Sequence, residues 1–106
     1  MREYRLGRSK EEVIALFPER AIKQVALGDR KICVARIGER FFAFERLCPH
    51  RMASLGEGWI TAFDEVVCPL HQYRFELGSG RVSSGDCRDL ICFQTVLDDR
   101  GLAILF

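Results

Sequence analysis

The segment CPHRMASLGEGWITAFDEVVCPLH, residues 48–71, constrains the fold of this chain more than any other part. It holds two of the five cysteines and both histidines of the 106 residues. They form the pattern Cys-x-His at its start and Cys-x-x-His at its end. The two ends predict matching loops on either side of a short hairpin around WITAFDEVV, residues 59–67. A hairpin that brings two ligand-bearing loops together indicates a metal site at the tip of a β-domain.

The types of ligand limit the candidate metals to zinc and iron. Thiolates and imidazoles are poor ligands for magnesium and calcium, which prefer oxygen. Zinc sites usually open with two cysteines and close with two histidines, so each arm contributes like ligands. Here each arm contributes one cysteine and one histidine, as a two-iron cluster requires when one iron takes both cysteines and the other both histidines. The spacing favours iron, and a zinc-stabilised interaction domain is the alternative.

Before this segment, the pattern is that of a small β-protein with one helix. Ser9 followed by Glu12 fits a capping box that opens a short helix over SKEEVIALF, which Pro18 ends. Beyond the helix, runs rich in Val, Ile and Phe are separated by turn residues. They predict an antiparallel meander over about residues 20–46.

After this segment, more strand-like runs follow. QYRFEL precedes a glycine turn, and the runs LICFQTVLD and GLAILF are separated by the turn DRG. Strands at intervals of about ten residues, with one short N-terminal helix, predict an all-β antiparallel sandwich or barrel. A chain of 106 residues is long enough for one core and too short for two, so a single domain over 1–106 is expected.

Composition and charge limit the partners. The chain has 16 Lys and Arg against 15 Asp and Glu, and this net charge of +1 gives no general attraction for nucleic acid or an anionic membrane. Its first residues carry frequent charges and no apolar run of the kind found in signal peptides or membrane spans. We therefore expect a soluble, cytoplasmic protein. In a reducing compartment, an odd number of cysteines favours metal binding over disulfides.

With these motifs, the chain resembles the Rieske [2Fe-2S] proteins, and nearly all of it is similar to the small soluble Rieske-type ferredoxins. The resemblance implies the Rieske iron-sulfur fold, with a cluster-binding hairpin subdomain at about 46–76. It also implies one [2Fe-2S] cluster per chain. Cys48 and Cys68 would bind one iron, and His50 and His71 the other. In this family the histidines bind through Nδ1 and leave Nε2 toward solvent.

The resemblance also implies a low reduction potential. High-potential members have two further cysteines that form a disulfide beside the cluster, where this chain has Ala53 and Leu70. They also donate hydrogen bonds to sulfur from a serine and a tyrosine, where this chain has Tyr73 and Phe75, and Phe75 has no donor. Fewer such bonds leave the reduced, more negative cluster less stabilised. We expect a potential near the bottom of the Rieske range of about −150 to +300 mV.

The function implied by the resemblance is electron transport by a monomeric carrier that is not itself an enzyme. The carrier would take one electron from a flavin-containing, NAD(P)H-dependent reductase and pass it to a terminal oxygenase by transient docking. A permanently bound Rieske small subunit of a nitrite reductase-like complex is the alternative. The predicted docking rim consists of residues beside the histidines: Arg51, Met52, Leu70, Gln72 and Tyr73.

The other cysteines and the hairpin aromatics have simpler interpretations. Cys33 lies in an alternating run and is expected to be a small core residue. Cys87 and Cys92 are expected to be free, unreactive thiols. Trp59 and Phe63 are expected to pack within the hairpin.

Overall fold

The computed structural model describes residues 2–106 and consists mainly of antiparallel β-strands, which confirms the predicted fold class. One α-helix and one short 3-10 helix accompany the strands. In chain order the elements are β1 (Glu3–Leu6), α1 (Lys10–Leu16), β2 (Ile22–Leu27), β3 (Arg30–Ile37), β4 (Arg40–Glu45), the 3-10 helix (Leu55–Glu57), β5 (Trp59–Ile60), β6 (Glu65–Val67), β7 (Arg74–Glu76), β8 (Val82–Ser84), β9 (Cys92–Asp98) and β10 (Gly101–Leu105).

The larger sheet has six strands in the order β1-β10-β9-β4-β3-β2. Strands β2, β3 and β4 form the predicted meander, with antiparallel pairing at each step. Strands β9 and β10 form a second hairpin, which joins the meander where Ala43 pairs with Phe93 and Phe44 with Cys92. The predicted metal-binding segment packs against this sheet.

The helix begins as its capping residues predict. The Ser9 side-chain oxygen accepts a hydrogen bond from the backbone N–H of Glu12 at 3.1 Å. The helix ends at Leu16, and Phe17 has an extended backbone because it precedes Pro18. Val13, on the inner face of the helix, is fully buried.

The smaller sheet carries the predicted metal-binding segment and has four strands in the order β5-β6-β7-β8. Strands β5 and β6 form the predicted hairpin, with Trp59 opposite Val67 and Ile60 opposite Val66. The sheet continues through β8 to Ser84. Because Cys68 directly follows β6, the second ligand loop starts from a strand that is fixed in the sheet.

Strand β1 was not predicted. It precedes the helix, so the helix is the second element of the chain and not the first. Glu3 pairs with Leu105 and Leu6 with Leu102, so β1 forms an edge of the larger sheet. Its sequence EYRL alternates charged and apolar residues, which is the two-residue period of a half-buried strand. Charged side chains are common on edge strands, where they discourage pairing with other molecules.

The prediction that the hairpin aromatics are packed is wrong for Phe63, whose side chain is 83% exposed, and holds only in part for Trp59, at 47%. The cause is the shape of the turn between β5 and β6. The Thr61 hydroxyl accepts from the backbone N–H groups of Phe63 and Glu65, which closes the turn tightly. Phe63 therefore points away from the sheet.

The buried side chains form two clusters. One lies between the helix and the larger sheet and includes Val13, Phe17 and Leu102. The other lies between the sheets and includes Phe44 and Phe75 together with cysteines 33, 48 and 68. The prediction for Cys33 is confirmed, since it is fully buried. Across residues 2–106, no helix has both the length and the apolar character needed to cross a membrane.

Candidate metal centre

The two predicted ligand loops, residues 48–53 and residues 68–73, are closed by the same backbone hydrogen bond. The N–H of Cys48 donates to the carbonyl of Ala53, and the N–H of Cys68 donates to the carbonyl of Tyr73, each at 2.8 Å. In both loops, the acceptor lies five residues after the cysteine. The first loop has one more bond, from the N–H of Met52 to the Cys48 carbonyl at 2.7 Å. The prediction of matching loops is confirmed.

Both loops contain non-glycine residues in the left-handed backbone region. Met52 has a φ of 58° in the first loop, and His71 and Gln72 have φ values of 63° and 56° in the second. This conformation costs roughly 1 kcal/mol or more for a residue with a side chain, and such costs are concentrated at functional sites. The second loop therefore accepts a strained backbone at one of its predicted ligands.

The two cysteines point inward and lie together. Their residues are 1% and 0% exposed, and the two thiols are close enough to share a hydrogen bond. Burial raises the pKa of Cys68 to about 11, against the lowering effect of a hydrogen bond from the Leu70 backbone. Cys68 is therefore a neutral thiol at neutral pH, and a metal must displace its proton to bind.

The two histidines lie together on the outer side of the same site. Their ring centroids are 5.3 Å apart, with the ring planes at 51°. His71 is exposed and His50 is half-buried. Burial, with added effects from Arg51 and His71, lowers the pKa of His50, which favours the neutral imidazole that binds metals.

One atom of this site is buried without a hydrogen-bond partner. It is Nδ1 of His50. Buried polar atoms are nearly always satisfied, so an orphaned one calls for an explanation. A metal bound at Nδ1 supplies that explanation, and Nδ1 is the nitrogen through which histidines bind in the family that the sequence resembles.

The four predicted ligands form two pairs of different type, with the thiols inside and the imidazoles outside. A two-iron cluster needs only two protein ligands for each iron, with the two pairs of different type in a Rieske centre.

A third segment, residues 85–91, also borders the site and was missed by the sequence analysis. Its Cys87 packs against the buried cluster that contains the predicted ligand cysteines, and burial and the nearby Cys48 raise the pKa of its thiol. Hydrogen bonds fix the segment. The Val82 N–H of β8 donates to the Asp89 carboxylate at 3.0 Å, and the Leu90 N–H donates to the carbonyl of Gly80, in the turn before β8, at 2.7 Å. The sequence signal for a special backbone in this segment was the glycine at position 85. Its φ in the structure is 133°.

The remaining cysteines are outside the ligand set. All five cysteines of the chain are free thiols in the structure. Burial raises the pKa of Cys33 and of Cys92 to about 11, so both stay protonated at neutral pH. A thiol that burial keeps protonated is a poor nucleophile, in agreement with the expectation that Cys92 is unreactive.

A family comparison agrees with this geometry. The model of the Rieske [2Fe-2S] domain matches residues 9–94. The chain belongs to this family. The cofactor of this Rieske domain is therefore a [2Fe-2S] cluster, and the buried thiols, the neighbouring imidazoles and the orphaned His50 nitrogen fit it.

The named relatives of this Rieske domain include a ferredoxin and a dioxygenase ferredoxin subunit. It is 36% identical over 61 residues to ferredoxin CarAc of Metapseudomonas resinovorans, which covers 58% of this chain and 56% of the relative. It is 30% identical over 84 residues to the biphenyl dioxygenase ferredoxin subunit of Pseudomonas sp. strain KKS102, which covers 78% of this chain and 77% of the relative. The match to the first relative thus spans little more than half of that protein's length.

A solved structure has the same fold. It is a chain of the complex of reduced oxygenase and oxidized ferredoxin in carbazole 1,9a-dioxygenase, and it superposes on this Rieske domain with a TM-score of 0.79. The identity is 25%, and the match covers 97% of this chain and 92% of that chain. Both sheets and both ligand loops of this Rieske domain therefore lie within a known architecture.

Proposed function

We propose that this Rieske domain is a soluble, cytoplasmic one-electron carrier and not an enzyme. It takes electrons from a flavin-containing, NAD(P)H-dependent reductase and delivers them to a terminal oxygenase. The relatives named as ferredoxin components and the ferredoxin fold of an oxygenase complex support this role. The single observation that carries the proposal is the pairing of two buried thiols with two imidazoles, one of them exposed, at one end of the smaller sheet.

In this proposal Cys48 and Cys68 hold one iron, and His50 and His71 hold the other. The burial of the two sulfurs and the unpartnered Nδ1 of His50 support the assignment. When bound, the cluster supplies a one-electron redox couple. The chain fixes the four ligands, excludes water from the sulfur side and leaves the edge of His71 open to a partner.

The predicted docking rim surrounds that edge. Met52 is 68% exposed and Leu70 is 39% exposed, although both are apolar. Arg51 and Gln72 are exposed beside them, and Tyr73 is half-buried. A small, mixed surface of this kind suits a short-lived contact, because a transient electron-transfer interface is smaller than a permanent one. We propose that reductase and oxygenase use this same rim in turn.

The proposal is tested on protein reconstituted anaerobically with iron and sulfide. We expect two irons and two sulfides per chain, a red-brown colour and a paramagnetic resonance signal that appears on reduction. A colourless protein with one tightly bound zinc would instead establish the zinc-stabilised domain. The carrier role is tested by mixing the reduced protein with an oxidised Rieske oxygenase, where rapid reoxidation is expected.

The permanent-subunit alternative makes a different prediction in solution. A chain held in a nitrite reductase-like complex needs a large apolar interface and stays bound on gel filtration. A transient carrier elutes as a monomer, apart from its reductase. Co-elution at micromolar concentration would contradict the carrier proposal.

A further inference from the structure

The Tyr73 side chain makes a contact that the backbone hydrogen bond closing its loop does not require. Its ring lies parallel to the imidazole of His50, with the centroids 3.9 Å apart and the planes at 6°. Its carbonyl accepts the N–H of Cys68, so the backbone that carries this ring is fixed in the second ligand loop. A side chain of one loop therefore covers a histidine of the other.

Gly85 leaves the space that this ring occupies. A Cβ added at Gly85 would lie 2.3 Å from Cδ2 and 2.6 Å from Cε2 of Tyr73, which is closer than real contacts allow. The φ of Gly85 is 133°, in a region that residues with side chains rarely adopt. The third segment is thus shaped to receive Tyr73.

The two histidines consequently have different surroundings. His71 is exposed, whereas His50 is half-buried beneath Tyr73 with its Nδ1 turned inward and unpartnered. Neutral aromatic rings usually pair with their centroids about 4.5–7 Å apart, so the 3.9 Å between Tyr73 and His50 is a close stack. A parallel stack becomes more favourable when one ring is electron-poor, because the face of a tyrosine ring attracts positive charge.

We propose that Tyr73 is a positioning residue for His50, which it holds by stacking, and that this stack lowers the reduction potential. The inference rests on the proposed role of His50 as an iron ligand. An imidazole bound to ferric iron is electron-poor, so the stack stabilises the oxidised state. The ring also keeps water from one face of His50, and that water would stabilise the reduced, more negative state. Both effects lower the reduction potential.

The experiment compares Tyr73→Leu, Tyr73→Phe and Gly85→Ala with the wild type, all as reconstituted holoprotein. Tyr73→Leu should raise the midpoint potential, so that the ratio of oxidised to reduced protein at a fixed ambient potential falls about three- to tenfold, where tenfold is about 59 mV. It should also alter the resonance signal of the reduced protein and speed iron loss to a chelator several-fold. Tyr73→Phe keeps the ring and should match the wild type.

Gly85→Ala keeps the Tyr73 side chain but displaces its ring, so it should raise the midpoint potential as Tyr73→Leu does. If Tyr73→Leu fails to fold or to hold iron, the potential of Gly85→Ala tests the inference. A lower melting temperature with an unchanged potential and resonance signal, in either variant, would overturn the inference and leave Tyr73 a packing residue. So would a Tyr73→Phe variant that behaves like Tyr73→Leu. A wild type without a Rieske signal would instead refute the proposed function.

Discussion

Arg88 donates two hydrogen bonds to the carboxylate of Glu45, one from each terminal nitrogen, at 2.8 and 2.9 Å. The same carboxylate accepts from the backbone N–H of Ile91 at 2.7 Å. Glu45 is the last residue of β4, shortly before the first ligand loop. The pair therefore ties the third segment, residues 85–91, to the strand that leads into the metal centre.

Glu45→Gln should weaken this connection, because it removes the charge and keeps the size of the side chain. The Glu45 side chain is only 18% exposed, but that of Arg88 is 54% exposed, so solvent screens the pair. We expect a loss of about 1 kcal/mol in the free energy of unfolding, measured by chemical denaturation. The matched control is Glu39→Gln, which removes an ion pair between Lys10 and the 65% exposed Glu39. An equal effect of both substitutions would contradict the prediction.

Local chemistry explains why much of the fold was predictable. Ser9 marks the start of the helix because its side chain satisfies a free backbone N–H there. The meander follows from apolar runs separated by turn residues, and the ligand hairpin follows from the spacing of its cysteines and histidines. Each of these signals lies inside the segment whose structure it specifies. The bounds of the cluster-binding subdomain, 46–76, stay a prediction.

The features that were missed depend on residues far apart in the chain. Strand β1 forms only by pairing with β10, about a hundred residues later. The stack of Tyr73 on His50 joins two loops, and its space is made by Gly85 in a third segment. No local pattern at Tyr73 indicates such a contact. The sequence analysis noted only that Tyr73 stands where high-potential members have a serine.

His71→Ala should abolish the cluster, because each iron has only two protein ligands and none to spare. The matched control is Gln72→Ala. Both residues are exposed and have left-handed backbones, with φ of 63° and 56°, so the backbone cost of alanine is similar. Iron and sulfide analysis, with the visible spectrum, should show a loss in the first variant and full content in the second. A full-intensity Rieske spectrum in His71→Ala would refute the ligand assignment.

Cluster assembly should speed up as the pH rises. Burial raises the pKa of Cys68 to about 11 in the metal-free protein, so the thiolate that binds iron is a small fraction at neutral pH. That fraction grows about tenfold per pH unit below the pKa. The lowered pKa of His50 keeps its imidazole neutral over this range, so it adds no opposing trend.

The measurement is the initial rate of reconstitution with iron and sulfide between pH 7 and 9. Cys33→Ala is the control, because Cys33 has a similarly raised pKa of about 11 and is not a predicted ligand. The control should show the same pH dependence as the wild type. A rate that is independent of pH would mean that deprotonation of the ligand thiols does not limit assembly.

The midpoint potential of the wild type should lie near the bottom of the Rieske range, which runs from about −150 to +300 mV. The side chains that would donate to sulfur in high-potential members are replaced by Tyr73, whose ring stacks on His50, and by Phe75. Potentiometric titration checks this value. A midpoint above about +100 mV would show that other donors stabilise the reduced state.

Phe75→Tyr tests whether a hydroxyl at that position reaches the sulfur side of the site. Phe75 is fully buried in the core cluster that contains Cys48 and Cys68, and it pairs with Val66 across β6 and β7. A new hydroxyl there either bonds to sulfur or stays unsatisfied. If it bonds, the potential should rise modestly, because a donor to sulfur stabilises the reduced state, and stability should change little.

We expect the first result, because the Phe75 ring already packs in the cluster that holds both predicted ligand cysteines. Potentiometry and chemical denaturation, applied to the same variant, separate the two cases. An unchanged potential with a loss of about 1 to 3 kcal/mol in the free energy of unfolding is the signature of a buried, unsatisfied hydroxyl. That outcome would mean that the low potential of this Rieske domain does not originate at position 75.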